Sequence, residues 1–305
     1  MSDIAFVGLG NMGTPMSRKL LEAGHRIAGY DLSRDSLDTL AARGGRAFDT
    51  LAAAVAGADV VITMLPAGKH VRAVYEGDNG VLANARPDAL LIDCSTIDVD
   101  TSRAVHKTAA GAGFEMVDAP VSGAVPAAEK GTLTFMVGGT EQAYRRALAA
   151  LEPMGKLFVH VGAAGAGQAM KICNNMMAGI SMVGVSEVFA LAERFGLDTQ
   201  KVYDVVTKSS GNCWALQMYC PVPGPVPASP ANRDYAAGFS LAMMLKDMRL
   251  SQGAASSTGA STPLAASAAA LYQMAANAGY GDKDFSVIFK LIAGGDMADG
   301  GKCLP

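Results

Sequence analysis

The sequence predicts an α/β protein of two domains: a doubly wound sheet over residues 1–163, then an all-α domain over residues 164–305, joined by a long helix. Three observations carry this. The chain opens with a short apolar run that ends in a glycine-rich turn and passes into a helical pattern. Strand-like runs and amphipathic stretches then alternate as far as Val161, which argues for a parallel sheet with helices on both faces. Beyond Gly162-Ala-Ala-Gly165-Ala-Gly167 the period becomes helical and no convincing strand follows. A length of 305 residues agrees with two domains rather than one.

The first unit reads in order. Ile4 to Val7 is a strand that ends in Gly8-Leu9-Gly10-Asn11-Met12-Gly13. A helix follows, with Met12, Met16, Leu20 and Ala23 on one face, and Gly24 stops it. A second strand, Arg26 to Tyr30, ends at Asp31, 18 residues beyond Gly13. Strand, Gly-x-Gly-x-x-Gly, helix, strand and acid form the Rossmann-type dinucleotide fingerprint. Gly8 allows the tight turn, Gly10 lets the backbone approach a pyrophosphate, and Gly13 lets the helix pack on its strand. The helix N-terminus then faces the phosphates. A carboxylate at Asp31 accepts the hydroxyls of the adenosine ribose and repels a 2′-phosphate, which Arg34 offsets only in part. NAD is therefore expected over NADP.

Asp59 to Met64 and Leu90 to Asp93 read as buried parallel strands. Helices are expected over Ser33 to Arg43, Leu51 to Ala56, Lys69 to Tyr75 and Val99 to Gly113. Strands Leu133 to Val137 and Leu157 to Val161 flank a further helix starting near Thr140. Ligands bind at the carboxyl ends of such strands. The residues there are Met64-Leu65-Pro66, Cys94-Ser95-Thr96, Asp118-Ala119-Pro120 and Ser122-Gly123-Ala124. Each loop alone reads as a turn with a cap, and Ser95 or Thr96 would serve as the cap of the following helix. Together they fall on the edge that carries the glycine loop, where Met64, Leu65, Pro66 and Thr96 are expected to meet the cofactor. The small residues Ser122-Gly123-Ala124 expose backbone N–H groups beside a hydroxyl, a concave site suited to a carboxylate.

From Gly165 the chain runs into a long apolar helix on which Lys171, Asn174 and Asn175 share one face. One reading is a polar stripe in solvent; the other is an acid/base lysine flanked by substrate-holding amides. The preceding strand-end loops favour the second, with Lys171 toward a cleft. Further helices are expected over Thr199–Lys208, Ser240–Ser256, Pro263–Ala278 and Phe285–Ile292. The composition here is Ala-, Ser- and Met-rich and apolar for a surface, which suggests subunit contacts and a homodimer or homotetramer. The Pro-rich run Cys220 to Pro230 is expected as a stiff loop within this domain, and the tail Gly294 to Pro305 as a frayed end.

A net charge of −3 with no Lys/Arg run argues against nucleic acid as a partner. Five scattered cysteines and four histidines, without a Cys-x-x-Cys or Cys/His cluster, predict reduced thiols, no metal site and a cytoplasmic protein. The N-terminus enters a strand at once, so no signal peptide is expected. Ile172 to Ala190 is apolar but carries Asn174, Asn175, Ser181, Ser186 and Glu187, so a buried helix is expected and no membrane span.

These motifs resemble those of the β-hydroxyacid dehydrogenases, and most closely the 3-hydroxyisobutyrate dehydrogenases. The resemblance runs from Ile4 to about Ile292. Its parts are Phe6-Val-Gly-Leu-Gly-Asn-Met-Gly13, Met64-Leu-Pro66, Asp93-Cys-Ser-Thr96, Asp118-Ala-Pro-Val-Ser-Gly123, Gly131-Thr-Leu-Thr-Phe-Met-Val-Gly-Gly139, Gly165-x-Gly-x-x-x-Lys171-x-x-Asn-Asn175 and Lys246-Asp247. Ser210-Gly-Asn-Cys-Trp214, Pro221-Val-Pro-Gly224 and Gly238-Phe239 point to the hydroxyisobutyrate-like branch. The resemblance implies Lys171 as catalytic acid/base and Ser122, Gly123 and Asn175 as carboxylate ligands. It further implies Lys246 beside the nicotinamide, with Asp247 next to it at the substrate. Trp214 and Tyr219 are expected to wall the pocket or, alternatively, to be core aromatics. The implied reaction is NAD-dependent oxidation of 3-hydroxyisobutyrate to methylmalonate semialdehyde, a step of valine catabolism. Alternatives are L-serine, 3-hydroxypropionate or tartronate semialdehyde, or a non-catalytic dinucleotide-binding role. Two positions depart from the pattern: Ala124 replaces a second glycine, and Cys220 stands where Asn is common, which would reshape the pocket rim. Decarboxylating sugar-phosphate dehydrogenases share the architecture but carry His where Asn174 stands.

Overall fold

The computed structural model describes residues 1–294. The expectation of a frayed tail falls on residues from 295 on, outside the described residues, as does Cys303. The chain divides into two compact units, Met1–Lys171 and the remainder from Ile172.

The first unit is built from β1 (Asp3–Val7), α1 (Gly13–Glu22), β2 (Arg26–Tyr30), α2 (Arg34–Ala41), β3 (Arg46–Ala47), α3 (Leu51–Val55), β4 (Val60–Thr63), α4 (Gly68–Glu76) and α5 (Val81–Asn84). Next come β5 (Leu90–Asp93), α6 (Val99–Gly111), β6 (Glu115–Asp118), β7 (Val121–Ser122), α7 (Ala124–Lys130), β8 (Leu133–Gly138), α8 (Glu141–Leu151) and β9 (Gly155–Gly162). The strands β3, β2, β1, β4, β5 and β6 are parallel neighbours in that order. The period-2 alternation of β1 shows why helices cover both faces. Ile4 and Phe6 enter one core with Met16, Leu20 and Leu133, while Ala5 and Val7 enter the other with Val71, Tyr75 and Val105.

One part of the sheet departs from the expected parallel order. β8 runs antiparallel to β6 and β7 and parallel to β9. The pairs Asp118↔Gly138, Val121↔Phe135 and Ser122↔Thr134 keep one register, so β7 continues β6 beyond the parallel strands' carboxyl edge. The sequence pattern missed this because Ala119-Pro120 breaks the run and Pro cannot donate to a ladder.

α9 (Ala166–Arg194) follows β9. Its first turn packs with the sheet unit, so that the compact first unit extends to Lys171. The cause is a buried carboxylate: Asp118 at the end of β6 accepts the Gly165 N–H at 2.8 Å and the Gln168 N–H at 2.9 Å. Two donors of a helix N-terminus are thereby satisfied by a negative charge, the favourable sign there. Glycine permits the approach, because a Cβ on Gly167 would lie 2.4 Å from the Met136 carbonyl oxygen and 2.6 Å from that of Asp118.

The second unit contains the rest of α9, then α10 (Thr199–Val206), α11 (Trp214–Gln217), α12 (Leu241–Thr258), α13 (Pro263–Ala275) and α14 (Ile288–Ala293). Met182, Phe189, Leu241, Met244, Met248, Tyr272 and Ile288 form its core. α9 is long and apolar enough to cross a membrane, at a hydropathy of 1.4. It also contributes Met182, Val183, Val185 and Phe189 to this core, which fits a core helix of a globular domain. The Pro-rich run is a loop within this unit, as expected, pinned by the Ser229 hydroxyl to the Cys220 carbonyl at 2.6 Å and by Tyr235 Oη to the Pro221 carbonyl at 2.9 Å. Cys220 itself is fully buried in the second core, and burial pushes its thiol up to about 11. The expectation that it shapes a pocket rim is therefore wrong: the small apolar thiol packs inward.

Two stability measurements test this framework. Gly167→Ala forces a methyl against two carbonyls and should cost at least about 1–3 kcal/mol, read as a lower urea midpoint. Asp93, fully buried, is held above the usual carboxylate range first by burial, against hydrogen bonds from Ser95 and Thr63. A carboxyl raised in the fold penalises the folded state once it ionises, and the penalty vanishes as pH falls and the group protonates. Asp93→Asn keeps the accepting Oδ1 and should raise Tm by about 2–4 °C at neutral pH, with the gain fading toward about pH 4. A lower Tm at neutral pH would show that the charge itself is needed.

Candidate active site

The glycine loop has the geometry of a phosphate cradle. Gly8 has φ +93°, and a Cβ there would sit 2.3 Å from the Met64 carbonyl oxygen. A Cβ on Gly13 would lie 1.9 Å from the Gly8 carbonyl oxygen, so only glycine lets α1 start this close to β1. At Gly10 a Cβ would meet nothing within 4 Å, so the loop is open on the side a pyrophosphate would take. Asp31 lies at the end of β2 with Oδ2 accepting the Leu9 N–H at 2.6 Å and Oδ1 the Ser33 N–H at 2.7 Å. Asn11 and Met12 complete the turn into α1. Arg34 is engaged by two carboxylates, Asp38 and Asp49, each at 3.0 Å.

The next strand ends are tied to one another. Asp93 Oδ1 accepts the Thr63 hydroxyl at 2.7 Å and the Ser95 hydroxyl at 2.5 Å. Ser95 Oγ accepts the Leu65 N–H at 2.9 Å, which fixes the Met64-Leu65-Pro66 loop against the Ser95-Thr96 loop. Helix α6 is capped by Asp98, whose Oδ1 takes the Thr101 N–H at 2.7 Å. Ser95 and Thr96 are thus not the caps of this helix. Gln168, fully buried, reaches the same loop from α9: its Nε2 donates to the Ser95 carbonyl at 2.7 Å and its Oε1 accepts the Ile97 N–H at 3.0 Å. Thr96 lies between these two contacts.

Ser122 is half-buried, and Gly123 and Ala124 lead from β7 into α7 with φ of 128° and 55°. A Cβ on Gly123 would lie 2.4 Å from Ala127 Cβ, so this position needs glycine in both space and φ. Ala124 has a non-glycine side chain in the left-handed region, at a cost of about 1–2 kcal/mol. Lys171 stands one turn beyond Gln168 and is only 7% exposed, the one lysine so buried among the described residues.

Within the second unit, Asn175 is buried, donates from Nδ2 to Asp247 Oδ2 at 2.5 Å and accepts the Asn174 Nδ2–H at 3.0 Å. Asn174 itself is exposed. Asp247 Oδ1 lies 3.3 Å from Lys246 Nζ, an ionic contact without hydrogen-bond geometry. Trp214 is exposed and stacks on Tyr219 at 5.0 Å, which in turn stacks on Phe285 at 5.4 Å. The Tyr219 hydroxyl donates to Asp284 Oδ2 at 2.8 Å, and Asp284 also accepts the Gly238 and Phe239 N–H groups, each at 3.1 Å.

The first unit therefore brings together Gly8, Leu9, Gly10 and Gly13 with Asp31, and ties Leu65 to the Ser95–Thr96 loop and that loop to the helix of Lys171. The second unit brings together Asn175, Lys246 and Asp247, with Trp214 and Tyr219 in a separate aromatic stack. Sequence reasoning missed Gln168, Asp284 and the use of Asp118 as a helix anchor. For Asp118 and Gln168 the signals were present: an acid as the last residue of a strand, and an amide at the start of an otherwise apolar helix.

Comparison with known proteins identifies the family. Residues 3–162 match the family model described as the NAD binding domain of 6-phosphogluconate dehydrogenase. Residues 165–292 match the one described as NAD-binding of NADP-dependent 3-hydroxyisobutyrate dehydrogenase. A 3-hydroxyisobutyrate dehydrogenase of Pseudomonas aeruginosa is 47% identical over 298 residues, covering 97% of this chain and 100% of the relative. An NAD-dependent L-serine dehydrogenase of the same organism is 44% identical over 292 residues, covering 96% and 98%. A solved Mycobacterium tuberculosis 3-hydroxyisobutyrate dehydrogenase with L-serine superposes with a TM-score of 0.91 at 50% identity, covering 96% of this chain and 99% of that one. The chain belongs to the β-hydroxyacid dehydrogenases and is a nicotinamide-dinucleotide-dependent oxidoreductase of the group that holds the 3-hydroxyisobutyrate and L-serine dehydrogenases.

Proposed function

We propose that the protein oxidises 3-hydroxyisobutyrate to methylmalonate semialdehyde with NAD, using Lys171 as acid/base. The observation that carries this is a buried lysine one turn beyond a side chain bonded to the strand-end loops. Bound NAD supplies the hydride acceptor for C3. Neutral Lys171 Nζ takes the hydroxyl proton as the C3–O bond becomes a carbonyl, and in reverse the ammonium returns it. Ser122, with the backbone of Gly123 and Ala124, receives the substrate carboxylate, and Asn175 adds an amide whose orientation Asp247 and Asn174 fix. Lys246 contributes positive charge beside the nicotinamide. Trp214 and Tyr219 supply ring faces to the substrate, the hydroxyl of Tyr219 being held by Asp284. NAD over NADP is supported by Asp31 and by Arg34 being engaged with Asp38 and Asp49. L-serine is the second reading, supported by the L-serine dehydrogenase relative and by the solved relative with L-serine.

We also propose a cytoplasmic homodimer or homotetramer assembled through α9. Met177, Val188, Leu191 and Phe195 lie at heptad-like spacing and are 64%, 45%, 58% and 71% exposed, an apolar stripe costly to leave in water.

Initial rates with NAD and NADP against 3-hydroxyisobutyrate, L-serine and 3-hydroxypropionate rank the substrates and the cofactor. Lys171→Ala should lower kcat by at least about 10³-fold with NADH binding retained; turnover near wild type would exclude the assigned role. Val188→Glu with Leu191→Glu should shift the protein to monomers in light scattering, and an unchanged mass would remove this stripe as the interface.

A further inference from the structure

The role of Gln168 goes beyond the residues so far assigned to chemistry. It touches the sheet with both ends of one amide. Nε2 donates to the Ser95 carbonyl at 2.7 Å, and Oε1 accepts the Ile97 N–H at 3.0 Å. The residue is fully buried, so either bond once lost leaves a polar group without water to replace it, at about 1–3 kcal/mol each. Both partners lie on the loop that carries Thr96. That loop is bonded in turn to the β4 loop, through Ser95 Oγ and the Leu65 N–H at 2.9 Å. Gln168 also presents its own N–H to Asp118 at 2.9 Å, so its backbone and its side chain are fixed to different strands. Lys171 follows at i+3, on the next turn.

We infer that Gln168 is a positioning residue, an amide clamp that sets the distance between the cofactor-edge loop at Thr96 and the amine of Lys171. The inference rests on the proposed roles of Lys171 and Thr96. A donor and an acceptor at fixed separation hold the loop in one register along the helix, which an apolar side chain of equal size cannot do. The clamp acts on both cofactor and chemistry: releasing it loosens the Thr96 loop and lets the helix turn bearing Lys171 shift. A displacement of about 1 Å at a reacting group costs about 10²-fold in rate.

Gln168→Met and Gln168→Glu test this, each with kcat, KM, an NADH fluorescence titration and Tm. Gln168→Met removes both bonds at similar volume. The expected result is a kcat lower by about 10–100-fold and a weaker NADH affinity, with the substrate KM little changed. Gln168→Glu separates positioning from packing. A protonated carboxyl can donate to Ser95 and accept from Ile97, whereas the carboxylate repels the Ser95 carbonyl. Around it, Asp118, which takes the residue's N–H, and Asp93, bound to Ser95, disfavour ionisation; Lys171 favours it, and His106 contacts Asp118 at 3.1 Å. The kcat of Gln168→Glu relative to wild type should therefore rise as pH falls and decline as pH rises. A Gln168→Met kcat and NADH affinity within about threefold of wild type, or a ratio for Gln168→Glu flat with pH, overturns the clamp. Failure of the functional reading looks different: wild type itself then forms no NADH from any 3-hydroxy acid.

Discussion

The buried carboxylate of Asp118 is the contact on which the first unit's junction between sheet and helix depends. It lies where the last parallel strand gives way to the antiparallel extension, and it accepts two N–H groups of the α9 N-terminus. A carboxylate so placed answers two requirements at once. The helix has donors that its own turns cannot satisfy, and the buried charge needs donors to offset its loss of water. The glycines around it follow from this one contact. A Cβ on Gly138 would lie 2.6 Å from Asp118 Oδ1 and one on Gly167 2.8 Å from Oδ2, so side chains at either site would push the helix off the strand. The direction in which Lys171 leaves the sheet is thus set before the lysine itself is reached.

A second buried carboxylate, Asp93, organises the loops instead of the helix. It collects the hydroxyls of Thr63 and Ser95, and Ser95 then reaches both Leu65 and Gln168. Burial raises the carboxyl against the pull of these bonds. Such a network carries a desolvation cost, and its return is one geometry for three strand ends rather than net stability. That return matters at a cofactor site, where backbone atoms of separate loops must meet one ligand. It also explains why small polar residues, and not the apolar residues of the strands themselves, occupy these positions.

The outline was legible from the sequence because its signals are local. The glycine fingerprint, the acid after the second strand and the alternation of apolar periods each fall within a few residues, and the turns they require are those found. The contacts that tie the site together were not legible, since they join Asp118 to Gly165 and Ser95 to Gln168, pairs separated by 47 and 73 residues. Single-position chemistry misled where burial decided the matter. Cys220 reads as a rim residue beside prolines, yet it packs into the second core. Ser95 reads as a helix cap, yet Asp98 takes that place and frees Ser95 to bond three partners.

In the second unit the aromatic stack is built around one buried carboxylate, Asp284. Tyr219 spends its hydroxyl on Asp284, which also holds the backbone at Gly238 and Phe239. What it presents alongside Trp214 is then ring surface, stacked at 5.0 Å. In the proposed reading, a wall of ring faces recognises a small substrate by shape. Shape alone separates analogues that differ by a methylene by only about 10–200-fold. Under that reading a methyl at C2 fits the wall, whereas an ammonium there brings a charge and three N–H donors that ring faces meet only as a cation–π contact. Near relatives carry names for both substrates, 3-hydroxyisobutyrate at 47% identity and L-serine at 44% identity to this chain. Stronger selection would need a polar partner for the C2 substituent, and the aromatic stack built on Tyr219 does not offer its hydroxyl for that purpose.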